Sequence, residues 1–128
     1  MSSATATKLC VAIMGLGLLV SPALAEGDAK KGKKVFNKCK ACHDISKEKN
    51  KVGPHLIGLF GRTAGAVEGY KYSKAMKESG IVWSPETLAP YLANPKKNVP
   101  GTKMAFAGLK KEAQIADVIL YLQESAKK

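Results

Sequence analysis

Cys39-Lys40-Ala41-Cys42-His43 constrains this 128-residue chain more than any other feature. Two thiols three positions apart fall on one side of a helical turn, where both can add to the two vinyl groups of a single haem. The adjoining imidazole is then carried beneath the porphyrin, where it can bind the iron as proximal ligand. A chain joined to a macrocycle by two thioether bonds has to fold around it. One haem c, covalently attached through Cys39 and Cys42, is therefore the expected cofactor. Two rival chemistries use the same residue types. A dithiol redox centre would want a strand and a βαβ setting before the motif, whereas Asp28 to Lys38 is lysine-rich and helical in pattern. Zinc would need four ligands, and beyond residue 25 the chain offers Cys39, Cys42, His43 and His55 at a spacing unlike a zinc finger.

The first 25 residues read as a secretory leader. Lys8 supplies the positive start, Leu9 to Val20 form an apolar run of 12, and Ala23-Leu24-Ala25 is an A-x-A cleavage signal before Glu26. Twelve residues fall short of the roughly 20 that a spanning helix needs, so stable membrane insertion is not expected. Cys10 leaves with the leader. The expected mature protein is a single domain over 26–128, located in the periplasm, with Cys39 and Cys42 as its two cysteines. Both go to the haem, so the macrocycle has to replace a disulfide as the staple.

Length permits one small core. A chain of about 100 residues buries only about 60–70% of its unfolded surface, and 19 lysines and one arginine beyond residue 25 leave little apolar material for it. A large buried macrocycle makes up the difference. Removing Lys8 takes the formal charge from +11 to +10, since all ten acidic residues lie beyond residue 25. Such basicity can serve nucleic acid, but aromatic and basic residues are not interleaved and no recognition-helix pattern is present. An acidic protein partner or an anionic membrane surface is the better match.

Every local signal is helical, and the expected class is all-α. Asp28 can cap a first helix whose Ala29, Gly32 and Phe36 share a stripe and which runs into Cys39. Lys47 to Gly61 reads as loop. Ser73 starts a short helix stopped by Gly80, and Ser84-Pro85 opens another that ends at Asn94-Pro95, with Leu88, Tyr91 and Leu92 inward. Pro90 inside that helix is expected to kink or shorten it. The last helix, about Lys111 to Ser125, has Ile115, Val118, Ile119 and Leu122 at i, i+3, i+4 and i+7.

Several segments together resemble class I cytochrome c, of the mitochondrial type and its bacterial periplasmic relatives such as cytochrome c2. They are Gly-Lys-Lys-Val-Phe (32–36), the haem motif, Gly53-Pro54, Gly-Leu-Phe-Gly-Arg (58–62), Gly80-Ile81-Val82-Trp83, Tyr91 to Lys97 and Pro-Gly-Thr-Lys-Met-Ala-Phe (100–106). The resemblance implies a small fold of short helices wrapped around one haem, with the first and last helices crossing at Gly32, Phe36, Val118 and Tyr121.

It also implies site roles. Met104 matches the second axial ligand; His/Met ligation raises the potential, as is general for cytochromes c. Met76 is the competing thioether, at a place where the family usually has a buried Asn; an apolar group there dries the pocket. Pro54 resembles the proline whose carbonyl accepts the Nδ1 proton of His43. Arg62, Tyr72 and Trp83 match positions that bind the haem propionates, and Tyr91 and Thr102 match residues hydrogen-bonded near Met104. His55 stands where the family has Asn and is not expected to be a ligand.

Lys38, Lys40, Lys96, Lys97, Lys103, Lys110 and Lys111 lie near the motif or the Met104 loop in sequence. The resemblance implies that such lysines ring the exposed haem edge and steer it toward acidic redox proteins. Lys47, Lys49 and Lys51 read as a plainly solvated loop. The expectation is a monomeric, soluble periplasmic one-electron carrier that binds no nucleic acid. Its donor would be of the cytochrome bc1 type and its acceptor an oxidase, reaction centre or reductase. A small c-haem peroxidase or its electron-donating subunit, and a gas sensor that opens at Met104, are the alternatives. Filled axial positions and the absence of an evident acid or base beside the iron beyond His55 argue against catalysis.

Overall fold

Among the described residues five helices form, in the order α1 (Ala29–Phe36), α2 (Lys74–Glu78), α3 (Pro85–Ala93), α4 (Pro95–Asn98) and α5 (Glu112–Ser125). The computed structural model describes residues 26–128 and, before them, only Gly15 and Gly17. The leader read over residues 1–25, including Cys10, otherwise lies outside the described residues. Among the described residues the only strand-like pairing is one isolated antiparallel bridge, Thr63 with Val82. No helix among them is long and apolar enough to cross a membrane.

The Asp28 carboxylate accepts from Lys30 N–H at 2.8 Å and Lys31 N–H at 3.1 Å, filling two donors left open at the start of α1. The helix buries Gly32, Val35 and Phe36. It ends at Phe36 instead of running into Cys39, and the chain continues as linked turns. Cys39 N–H bonds the Phe36 carbonyl at 2.8 Å and His43 N–H bonds that of Cys39 at 2.9 Å. The motif is still carried on helix-like backbone.

α5 starts at Glu112, one residue later than expected, and buries Ile115, Val118, Ile119 and Leu122, the face its periodicity announced. α1 and α5 cross in close contact. A Cβ at Gly32 would collide with the Asp117 carbonyl and stand 2.7 Å from Tyr121 Cβ, so hydrogen is what lets the axes meet. Asp28 N–H donates to Asp117 Oδ1 at 2.7 Å. The rings of Phe36 and Tyr121 lie 5.5 Å apart between centroids. Val118, 1% exposed, is the most buried side chain of the core.

α3 is capped by Ser84, whose hydroxyl and that of Thr87 exchange backbone hydrogen bonds in a capping box, with Pro85 in the first turn. Pro90 does not stop it: the helix runs nine residues to Ala93. The carbonyl that loses its donor belongs to Glu86, and Glu86 and Pro90 both line an open depression, where water can serve instead. Asn94 ends α3 and also caps α4, its Oδ1 accepting from Lys97 N–H at 3.1 Å. α3 packs against α5 and α4. A single continuous core joins Val35, Phe36, Leu59, Met76, Trp83, Tyr91 and the α5 face. Among the described residues one ion pair is present, Lys74 with Glu78 at 3.8 Å on the surface of α2.

Candidate functional site

The imidazole of His43 is fixed from two sides. Its Nδ1 lies 2.7 Å from the Pro54 carbonyl oxygen. A carbonyl only accepts, so Nδ1 carries the proton and Nε2 keeps its lone pair for a metal. Gly53 lies against the ring, where a Cβ would collide with Cε1 and stand 2.8 Å from Nδ1. Burial pushes the His43 pKa down, the Pro54 bond opposes this, and the charges of Arg62 and Lys51 add to the lowering. The ring is neutral at physiological pH, as a metal ligand must be.

Cys39 and Cys42 are half-buried free thiols on the turn before it. Burial, and secondarily the neighbouring Cys42, push the Cys39 thiol up. A working dithiol centre needs a lowered thiol pKa, so this environment counts against that reading. No group of three or more His, Cys, Asp or Glu side chains able to hold a metal ion exists among the described residues.

Met104 is half-buried against the core on the loop after α4. Tyr91 Oη donates toward its sulfur at 3.8 Å and lies 3.2 Å from Thr102 Oγ1. Thr102 Oγ1 also accepts from Met104 N–H at 3.4 Å, and Lys103 Nζ ties the loop to the Lys71 carbonyl at 2.9 Å. The sulfur is thus met by the Tyr91 hydroxyl from α3, while Thr102 and Lys103 tether the loop that carries it. Met76 sits within α2, 8% exposed, behind the Ser73 cap, as part of the core.

Arg62 and Trp83 are fastened to each other by backbone bonds next to the Thr63–Val82 bridge: Trp83 N–H to the Arg62 carbonyl at 2.9 Å, and Gly61 N–H to that of Trp83 at 2.8 Å. Trp83 also tilts against Tyr91 at 5.1 Å between centroids. Arg62 Nη1 donates to the Ile57 carbonyl at 3.2 Å, while Nε is buried with no partner. A buried donor without an acceptor is costly, so an anionic oxygen from a cofactor fits there. Tyr72 Oη accepts from Val67 N–H at 3.2 Å, which leaves its own proton to donate. Burial raises the Tyr72 pKa and keeps that proton on. These donors suit haem propionates, and together with the two thiols and the neutral imidazole the residue set fits a covalently attached haem.

Three supporting residues were not foreseen from sequence. Asn50 bridges two loops, its Nδ2 donating to the Glu68 carbonyl at 3.1 Å and its Oδ1 accepting from His55 N–H at 3.1 Å. Tyr70 Oη donates to the Val52 carbonyl at 2.7 Å and its ring meets the edge of Tyr72. Gly53 stood in the sequence only as one half of the Gly53-Pro54 segment, with no role of its own. His55 has a buried Nδ1 without a partner. The seven lysines of the expected docking ring are all exposed. Lys51, expected to be a plain loop lysine, instead donates to the Lys40 carbonyl at 2.7 Å and so adds its charge to the motif.

The family model for cytochrome c matches residues 29–126. Cytochrome cH from Methylobacterium extorquens, a solved structure, superposes with a TM-score of 0.73 at 48% identity, covering 77% of this chain and 99% of that one. Cytochrome c2 of Blastochloris viridis is 48% identical over 91% of this chain and 92% of its own length. Cytochrome c type-1 of Ascaris suum is 53% identical over 84% and 96% respectively. The family model spans α1 to α5 and every residue gathered around His43, so the chain belongs to the cytochrome c family: an electron carrier, not an enzyme, with one covalently attached c-type haem.

Proposed function

We propose that this chain is a periplasmic carrier, exported by a leader removed after Ala25, in which His43 and Met104 are the axial ligands and stay bound while one electron is exchanged. When bound, the haem supplies a one-electron iron couple, and everything else is the protein's task. Pro54 holds the proton at His43 Nδ1, and Gly53 leaves the ring its place. Tyr91 holds the Met104 sulfur and Thr102 holds Tyr91 and the Met104 backbone, which supports a closed pocket over an open, ligand-accepting one. Arg62, Tyr72 and Trp83 give the propionates donors and a dry wall, and Met76 extends that apolar surroundings. Lys38, Lys40, Lys96, Lys97, Lys103, Lys110 and Lys111 form the docking face for acidic redox proteins, a bc1-type donor and an oxidase, reaction centre or reductase as acceptor. The protein works as a monomer in fast, salt-sensitive encounters.

The hydroxyl-held sulfur of Met104 is the observation that carries this reading. Met104→Ala is expected to abolish the sulfur-to-iron charge-transfer band near the red end of the ferric spectrum and to lower the potential, whereas Met76→Ala keeps the band. The reverse pattern reassigns the ligand. The ferrous protein is also expected to refuse carbon monoxide at neutral pH; ready binding would favour the sensor or peroxidase alternative.

A further inference from the structure

Two loops carry opposite ends of the site, and little packing joins them. Residues 50–55 set Gly53 and Pro54 against His43. They are fastened to the haem motif by the bond from Gly53 N–H to the Cys42 carbonyl and, just beyond, by that from Leu56 N–H to the Asp44 carbonyl, both 2.8 Å. Residues 67–72 end in Tyr72, and Glu68, Gly69 and Lys71 among them are exposed. Val67 is 8% exposed, yet it stands apart from the continuous core. A loop with so little apolar anchorage opens easily. Among the described residues no backbone hydrogen bond joins 50–55 to 67–72. Two side chains do so instead: Asn50 Nδ2 donates to the Glu68 carbonyl at 3.1 Å, and Tyr70 Oη to that of Val52 at 2.7 Å.

The Tyr70 ring carries this anchorage on to Tyr72. The two rings meet edge to face at 4.8 Å between centroids and 77° between planes, and Tyr72 Oη accepts from Val67 N–H at 3.2 Å. The phenol is thereby fixed on two sides while its own proton stays free to donate. Loop stability alone accounts for a single side-chain bond across a surface. It does not account for two bonds that converge on the segment beneath His43 and lead, through one ring, to a hydroxyl whose proton has no partner among the described residues.

We propose that Tyr70 and Asn50 are positioning residues for electron transfer: they tie Tyr72 to the loop beneath His43, so that the propionate donor and the support of the proximal ligand keep one fixed relation. The inference rests on the propionate role proposed for Tyr72. A donor held in place offsets the charge of a carboxylate, whereas a donor free to swing leaves more of it uncompensated. Uncompensated negative charge favours the oxidised, more positive centre, so loosening either tie lowers the midpoint potential.

The test uses haem-loaded Tyr70→Phe and Asn50→Ala, both neutral replacements, singly and together. Phe keeps the ring edge and loses only the hydroxyl. Gly80→Ala is the comparison, since φ there is +68° with nothing within 4 Å of a new Cβ, and it lowers stability without touching either loop. Hydrogen exchange at Val67 N–H, which bonds the Tyr72 hydroxyl, reads release of that residue. Loss of one neutral hydrogen bond is expected to speed it roughly fivefold and loss of both roughly 25-fold. The potential is expected to fall in each variant and further in the pair, and the hyperfine-shifted ring resonances of His43 in the ferric protein to move with it. Gly80→Ala is expected to leave both unmoved. Unchanged exchange at Val67 overturns the ties. Faster exchange with an unmoved potential reduces them to loop stability and overturns the positioning, as does an equal fall in Gly80→Ala. Tyr72→Phe separates the two readings: an unmoved potential there refutes the propionate role itself, whereas a fall there without one in Tyr70→Phe refutes the positioning alone.

Discussion

Gly32→Ala sets two physical effects against each other, and the geometry decides between them. Position 32 is the middle of α1, where alanine is favoured over glycine by about 0.8–1 kcal/mol in helix propensity. Propensity alone therefore predicts a stabilised protein. The new methyl, however, would collide with the Asp117 carbonyl and sit 2.7 Å from Tyr121 Cβ. The first obstacle is backbone, which cannot rotate away, so α1 and α5 must move apart. Separation loosens the Phe36–Tyr121 pair and the seal over Val118 and stretches the 2.7 Å bond from Asp28 N–H to Asp117. Overpacking of this kind costs about 3 kcal/mol at the upper end of its usual range. Subtracting the propensity gain leaves a net loss of about 2 kcal/mol, and at roughly 4–8 °C per kcal/mol for a domain of this size, Tm falls by roughly 8–16 °C. Thermal unfolding of the ferric, haem-loaded protein by far-ultraviolet circular dichroism measures it. Gly80→Ala is the comparison: φ there is +68° with nothing within 4 Å of a new Cβ, so only the left-handed backbone penalty of about 1–2 kcal/mol applies. An unchanged or raised Tm for Gly32→Ala would refute the close approach of the two helices at residue 32.

Three further expectations concern charge and folding. Lys97→Glu should slow electron transfer to an acidic acceptor strongly at low ionic strength, the deficit shrinking as the Debye length falls below about 10 Å, while Lys49→Glu slows it far less; equal slowing in stopped-flow across a salt series would mean that net charge alone governs encounter. The haem-free chain should be largely unfolded, because the small core is completed by the macrocycle; a cooperative thermal transition from it would count against this. The backbone donor of Lys31, then that of Lys30, hold the Asp28 carboxyl below the usual carboxylate range despite an opposing contribution from desolvation. Its contribution to stability is present above the unfolded carboxyl pKa and is lost as pH falls through the lower folded value, so Asp28→Asn should flatten that part of the acid denaturation curve. Superimposable curves would show that the cap does not titrate.

Long-range features were readable where chemistry repeats and unreadable where one polar atom does the work. The α5 face was legible because four apolar residues at helical spacing have no other efficient burial. The motif announced both thiols and the imidazole, since its residue types at that spacing serve few ends. α4 was missed because Asn94-Pro95, read as a stop for α3, is equally a cap followed by a first-turn proline, and four residues show no periodicity. The Thr63–Val82 bridge is too short to alternate. Asn50 was invisible because a loop amide gives no hint that it joins carbonyl and amide partners on separate loops. Pro90 misled for a definite reason: interior proline breaks a helix when the freed carbonyl is buried, and here that carbonyl borders open space.

The partnership of α1 with α5 also sets a schedule. Residue 28 bonds residue 117, so the first helix of the domain is completed only by nearly the last segment. About 70 residues separate the end of the haem motif from the start of α5. Until the two meet, α1 lacks the face that buries Gly32, Val35 and Phe36, and the two thiols directly behind it are held open on an unfolded chain. Joining the ends across such a separation is slow in itself, because the closure entropy has to be met before the contact repays it. Delay is thus built into the topology: the thiols can be modified first, and the helix pair shuts afterwards on a chain that already carries its core.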